Sequence, residues 1–491
     1  MLLPVELLLR IGTEILRHPQ TTFKQFKQLR LICKWFDQVF APIVLSSVVV
    51  FSSYSSTVNC EMLLSLISGS GYASYAKKLV LNSWDLREVI LPSDDAEDGA
   101  APGTFWSSCI PPIKWIYGVI AVPKKARRRL REPRAVLKAK EYVECIDQVS
   151  FNLPSVQTVQ WSIDRQPCHN SEKSMRINLR LLETLPSLVQ LHLFLYNSSC
   201  HRTDLLAVSL PKIRNLQKLE VCIEYAGREQ EGLSFIWLKD VIARCPNLRH
   251  LAIRCVSPSL SASLSELFED VPADRHLELE HLRICDYCCD ITPKVLSHLR
   301  SLTSLQICTT CYGALTPVHE IWQVLIDERI FVSKLSTNIV SDDMLRYLSH
   351  LDNLTHFSIH GPMPGALAQV VAKLLFHELA MHSSTLTHLE LSPLNWSGWH
   401  WNTLAKSSLL ECVELEQLTL VADVNTPQHD IKRIMECVSQ TGASLTVVVE
   451  TDFADIFELF ISCCRTSASL EMRRLAQRMV YAHTDYLFRP M

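Results

Sequence analysis

Two pairs of cysteines in this 491-residue chain stand at metal-ligand spacing. Cys285-x-x-Cys288 is followed, after 19 residues, by Cys308-x-x-Cys311. Four thiolates so spaced suit a tetrahedral zinc site. A second explanation competes. Cys285 follows LEHLRI, Cys308 follows LTSLQI and Cys222 follows LQKLEV, so the three share one position of a repeat. Neighbouring strands lie ~4.8 Å apart, so equivalent cysteines of stacked strands meet without a metal. The second explanation is adopted: these are small inert residues, and no metal or cofactor is expected.

Other chemistry-bearing residues follow the same course. His377-Glu378 with His382 is one residue too long for the HExxH pattern. Positions i and i+5 of a helix point about 140° apart, so the two imidazoles cannot share a metal. His250, His281, His356 and His388 occupy one repeat position. They are either pH-sensing groups or ordinary face residues of a sheet, and the ordinary reading is taken. Trp396, Trp399 and Trp401 are either a recognition patch or packing between a strand end and the next helix. The chain has no GxSxG, no Walker loop and no GxGxxG, and the SGSGYAS stretch lacks the lysine that a phosphate loop needs. No catalytic residue is expected.

The elements that would hold these residues are set by a repeat of about 30 residues, L-x-x-L-x-[LIV]. Copies begin at Val156 (weak), Leu188, Leu216, Leu248, Leu279, Leu302, Leu354, Leu386 and Leu415, with AKKLVL at Ala76 as a possible first one. The steps from Val156 are 32, 28, 32, 31, 23, 52, 32 and 29, and the 52 is read as hiding a degenerate copy near Val332 to Thr337. Amphipathic stretches at Leu233 to Cys245, Thr316 to Ile326 and Met363 to His382 supply helices between strands. A single strand–helix unit cannot bury its apolar face; stacked copies can. The expected fold is therefore α/β, an irregular leucine-rich-repeat solenoid over 145–491. Helical stretches at Asp455 to Cys464 and Leu470 to Val480 are expected to cap it. The 72 leucines are largely the requirement of that stacking.

Alternation along each strand sends the leucines inward and the intervening residues to a concave face. The candidate substrate-binding residues there are His192, Lys218, His250, Arg254, His281, Arg283, His356 and His388. The face is mixed, polar and rich in histidine, a composition suited to a protein ligand.

Residues 51–91 form a linker with the first repeat-like unit, and 92–144 a charged insertion, partly disordered, without repeat pattern. The insertion opens on Asp94, Asp95, Glu97 and Asp98. It turns basic over Lys124 to Lys140, with nine Lys or Arg against Glu132 alone. Three readings stay open for the basic stretch: a nuclear import signal or anionic-surface contact, a solvated helix, or a partner for the acidic stretch.

Composition bounds the rest. The net charge of −3 at pH 7 argues against nucleic acid as a partner of the whole molecule. Eighteen scattered cysteines suit reduced thiols in a cytoplasmic or nuclear protein. No apolar run approaches the ~20 residues of a membrane helix.

The first fifty residues carry two short amphipathic helical patterns. One starts after Pro4, with Glu6 in its first turn, and should end near His18 because Pro19 follows. The other runs Phe23, Phe26, Leu29, Ile32, Cys33, Phe36 and Phe40, and Pro42 closes it. So few residues cannot bury these faces alone and require a partner. LPVELLLRI, followed by FKQLRLICKWFDQVFAP, resembles the F-box: Leu3, Pro4, Glu6, Leu7 and Ile11, then Leu29 to Phe36. The segment Arg17 to Thr22 is longer than the family's turn between the two blocks. The LSSVVVFSS tail resembles fungal F-box proteins in particular, where the box runs into a first strand.

The resemblance implies that residues 1–50 dock onto the Skp-type adaptor of a cullin–RING ubiquitin ligase. Leu3, Pro4, Leu7, Ile11, Leu29, Ile32, Cys33 and Trp35 would contact it. The chain would then be a substrate receptor without an active site, its solenoid holding a protein target of unknown identity. The alternative is a leucine-rich scaffold with no ligase role.

Overall fold

The computed structural model describes residues 46–51, 71–82, 153–163, 178–179, 181–196, 210, 213–224, 236–256, 263–272, 274–285, 291–308, 318–361, 368–393, 411–422, 444–449 and 479–483. The chain forms two compact units, Met1–Leu248 and Arg249–Met491. Each is α/β and built on a parallel sheet whose strand order follows the chain.

In the first unit the strands are β1 (Ser47–Phe51), β2 (Lys78–Asn82), β3 (Thr158–Ile163), β4 (Gln190–Tyr196) and β5 (Lys218–Glu224), each parallel to the next. Helix α1 (Ile236–Arg244) follows β5. The weak copies at Ala76 and Val156 are thus real strands, and the first strand among the described residues opens at Ser47, inside the segment assigned to the N-terminal box. β2 and β3 pair directly, although residues 92–144 lie between them in the chain. The insertion itself lies outside the described residues.

In the second unit the strands are β6 (His250–Val256), β7 (His281–Cys285), β8 (Ser304–Cys308), β9 (Lys334–Thr337), β10 (His356–Gly361), β11 (His388–Pro393), β12 (Gln417–Ala422), β13 (Ser444–Val449) and β14 (Met479–His483). Successive strands are again parallel. Helices α2 (Leu264–Leu267), α3 (Pro293–Leu299), α4 (Val318–Asp327), α5 (Asp342–Ser349) and α6 (Ala368–Met381) fall between them. α4 packs on α5, and α5 on α6. β9 is the copy hidden in the 52-residue step. The expectation of a helix through Val480 is corrected: Met479 and Val480 open β14 (MVYAH), which carries β-branched Val480 and aromatic Tyr481 and pairs with β13. The Asp455 to Cys464 stretch lies outside the described residues.

The repeat leucines make the core by stacking in register. Leu251, Leu282, Leu305, Leu335, Phe357, Leu389 and Leu418 form one column, and none is more than 2% exposed. Each such burial contributes roughly 1.5–3 kcal/mol. The next column is Ile253, Ile284, Ile307, Thr337, Ile359 and Leu391. Thr337 is the polar exception, wholly buried; its Oγ1 donates to the Ile339 carbonyl at 3.2 Å and accepts the Ile339 N–H at 3.1 Å. A buried hydroxyl is tolerated because both its roles are filled.

A hydroxyl ladder enters the strands of the second unit. Thr303 donates to Glu280 O (3.0 Å), Ser333 to Thr303 O (3.2 Å), Thr355 to Ser333 O (3.0 Å) and Thr387 to Thr355 O (3.0 Å). The same carbonyls accept the two backbone N–H groups at the head of the next strand, as Thr303 O does from Ser333 and Lys334, both at 3.0 Å. The residue preceding each strand therefore fixes the stagger between neighbours.

The helices begin as their sequences direct. Ser341 caps α5, accepting from Met344 N at 3.2 Å, with Asp342 and Asp343 in the first turn. Pro293 occupies the first turn of α3. Inward from α3, His298 is 2% exposed and stacks on Phe268 at 5.1 Å. Among the described residues no helix is long and apolar enough to cross a membrane.

Candidate functional site

The outward side of each sheet is formed by residues that alternate with the buried columns. In the first unit its centre is a charged cluster. His192 Nδ1 lies 2.5 Å from Glu220 Oε2, its register partner, and Lys218 Nζ lies 2.8 Å from Glu220 Oε1. The carboxylate thus joins both sequence-predicted residues, and Glu220 is the member that holds them together. Thr158 of β3 extends the row by donating to Gln190 at 3.2 Å. Such a patch can exchange hydrogen bonds and charge with a polar protein surface.

In the second unit the first outward row reads His250, His281, Ser304, Lys334, His356, His388 and Gln417 in register. The four predicted histidines form two pairs. His250 and His281 have ring centroids 5.4 Å apart, and His356 and His388 stack at 4.1 Å with planes 6° apart. Burial, followed by the His388 imidazole and the Lys334 ammonium, pushes His356 down to about 4, with Glu416 opposing. The ring is neutral at physiological pH.

The second row reads Ala252, Arg283, Gln306, Ser336, Ser358, Glu390 and Thr419. Ser358 donates to Glu390 at 3.0 Å. Arg254 stands one row further along, level with Cys285 rather than with Arg283. The two arginines are therefore diagonal neighbours, close enough for both to act on one group.

That group is Cys285. Cys285 and Cys308 are register partners, both buried, at the end of the outward row. The Cys308 thiol hydrogen-bonds the Cys285 sulfur; with the charges of Arg283 and Arg254 this outweighs burial and lowers Cys285 to about 7. The same bond, with burial, pushes Cys308 well above the usual thiol range, while Gln306 Nε2 lies 3.7 Å from its sulfur. Repeat stacking brings these thiols together, as expected from the sequence. Burial pushes Cys245, just after α1, up to about 11 against the opposing backbone hydrogen bonds of Leu216 and Asn215.

Several sequence readings meet the structure elsewhere. His382 is buried and bonds the Leu348 carbonyl through Nε2 at 3.0 Å, while His377 is exposed, so the pair shares nothing. Cys288, Cys311, Trp396, Trp399 and Trp401 lie outside the described residues. So do all eight adaptor-binding candidates, Leu3, Pro4, Leu7, Ile11, Leu29, Ile32, Cys33 and Trp35. Sequence reasoning passed over Lys334 and Ser336, which β9 places in the outward rows. The signal was present in SKLST, where Leu335 is the one inward leucine of a four-residue strand.

Among the described residues no three His, Cys, Asp or Glu side chains gather as a metal set. The outward faces therefore combine paired imidazoles, arginines, hydroxyls and one low-pKa thiol on a rigid sheet. Comparison with protein-family models gives no match, and comparison with curated proteins gives none.

Proposed function

We propose that this chain is the substrate-recognition subunit of a cullin–RING ubiquitin ligase. Residues 1–50 act as an F-box and bind the Skp-type adaptor, with Leu3, Pro4, Leu7, Ile11, Leu29, Ile32, Cys33 and Trp35 at the contact. The repeat sheets form a leucine-rich solenoid whose outward rows bind a target protein. The chain holds no catalytic residue, and its contribution is proximity. It works in the cytoplasm, the nucleus or both.

One observation carries the reading. The two blocks Leu3-Pro4-x-Glu6-Leu7 and Leu29-Arg30-x-Ile32-Cys33-Lys34-Trp35 stand, in order, ahead of β1 of a parallel repeat sheet in the sequence. A short helical box ahead of a repeat array is the arrangement of a receptor with one end for the ligase and the other for the target. The polar, hydroxyl- and imidazole-rich rows support a protein ligand, because hydrogen-bonding side chains on a rigid scaffold give specificity.

The test is binding of purified Skp-type adaptor to the full chain and to Leu7→Ala and Trp35→Ala variants. The reading expects binding by the parent and a loss of tenfold or more in each variant, with the urea midpoint of the repeat units unchanged. Equal binding by all three would place the contact outside the two blocks and remove the reading.

A further inference from the structure

Cys285 of β7 and Cys308 of β8 are register partners, 2% and 4% exposed, and both are free thiols. Neighbouring strands set such partners about 4.8 Å apart. A disulfide bridges Cα atoms roughly 4.4–6.8 Å apart, provided that the two Cβ vectors do not diverge. Level positions on parallel strands meet that condition, because both side chains leave the same face of the sheet in the same direction. The Cys308 thiol already hydrogen-bonds the Cys285 sulfur. Among the described strands of the second unit no other two cysteines are level with one another.

We propose that Cys285 and Cys308 are a site of reversible oxidation, closed to a disulfide by hydrogen peroxide and reopened by a dithiol. The hydrogen bond between them lowers Cys285 and raises Cys308, so Cys285 supplies the thiolate. Its sulfur attacks one peroxide oxygen and the O–O bond breaks. The departing hydroxide takes up the proton that Cys285 released, and Cys285 becomes a sulfenic acid. The Cys308 sulfur then attacks the sulfenic sulfur, the S–O bond breaks, and the hydroxyl leaves as water with the Cys308 proton. Two thiols have given up two electrons and two protons, and one peroxide has become two waters. A dithiol reverses the step by exchange through a mixed disulfide and is itself oxidised. Burial selects the oxidant: hydrogen peroxide is little larger than water and reaches the pair when the strand ends open locally. Closure ties β7 to β8 at their last residues, around α3. It also puts an uncharged bridge in place of the thiol on which Arg283 and Arg254 act. None of this depends on adaptor binding by residues 1–50.

The experiment exposes the full, reduced chain to hydrogen peroxide at pH 7.5. Remaining thiols are then blocked with iodoacetamide in denaturant, and tryptic peptides are mapped by mass spectrometry without reduction. Cleavage after Arg283 and Lys294 leaves Cys285 with Cys288 and Cys289, and Cys308 shares its peptide with Cys311, so fragmentation of the linked peptides locates the bond. A chain with Cys288→Ser, Cys289→Ser and Cys311→Ser keeps one cysteine in each peptide and checks the assignment. The expected result is a Cys285–Cys308 link that dithiothreitol removes, while Cys245 is still alkylated. In Cys308→Ala the link is lost and dimedone labels Cys285 as the sulfenic acid. Alkylation of Cys285 and Cys308 undiminished by peroxide in the parent would overturn the proposal. So would bonds from either to Cys288, Cys289 or Cys311 in place of the mutual one.

Discussion

His298 makes the second unit sensitive to acid by an amount that can be worked out. Its ring is 2% exposed, and its Nδ1 accepts the Leu277 N–H at 3.0 Å, so it is held neutral. Burial, then His276 and Lys294, push it down to about 4. An unfolded histidine takes a proton near pH 6.5. Because the folded value is the lower one, the unfolded state binds more protons between the two values, and stability falls as pH drops from about 6.5 to about 4. At pH 4.5 the loss is roughly 2–3 kcal/mol from this residue alone. His356 and His382 are shifted the same way and add to the slope. His298→Phe keeps a ring against Phe268 but leaves the Leu277 N–H without its acceptor, costing roughly 1–3 kcal/mol at pH 7.5. The variant no longer carries the protonation penalty, so its deficit relative to the parent shrinks, or reverses, by roughly 2–3 kcal/mol on going to pH 4.5. Urea unfolding of both proteins at pH 7.5, 6.0 and 4.5 measures this. A deficit that stays constant within about 0.5 kcal/mol across the range would refute the assignment of His298 as a neutral buried acceptor.

Three further outcomes are expected. Leu305→Ala, in the middle of the buried column, should lower stability by about 2–5 kcal/mol in urea unfolding, whereas Gln306→Ala one position on should change it by less than about 1 kcal/mol. Thr337→Val should destabilise by roughly 1–3 kcal/mol because the Ile339 N–H loses its acceptor, although valine restores the apolar column. Cys308→Ala should raise the Cys285 thiol, because it removes the largest lowering contact, read as the pH midpoint of iodoacetamide labelling at Cys285 by peptide mass spectrometry. An unchanged midpoint would mean that the Cys308 hydrogen bond is not what holds Cys285 down.

The second unit was the most legible part of the sequence. Its leucines recur on the strand period, and each interval leaves room for a helix, so strands from β3 to β12 fall where the repeat places them. β9 was legible only as a gap, because Thr337 replaces the usual isoleucine and is satisfied within its own turn. β13 and β14 were missed: SLTVVV and MVYAH pair side by side, but neither carries L-x-x-L ahead of it. The outward face was read correctly in outline, since alternation alone assigns it. What alternation could not convey is which outward residues meet. The His192–Glu220 contact, the His356–His388 stack and the Cys285–Cys308 pair depend on inter-strand register, which here is fixed by backbone carbonyls and hydroxyls ahead of each strand. Nor does a repeat position reveal that Arg283 and Arg254 converge on a thiol, because their side chains approach it from two different strands.

The most direct test of the ligase reading is the mass of the species formed when the full 55.9 kDa chain is mixed with purified Skp-type adaptor and followed by light scattering after gel filtration. The account predicts a one-to-one complex that Pro4→Ala with Trp35→Ala abolishes while the chain stays folded. A folded parent chain that elutes at its own mass, with the adaptor free, would contradict it.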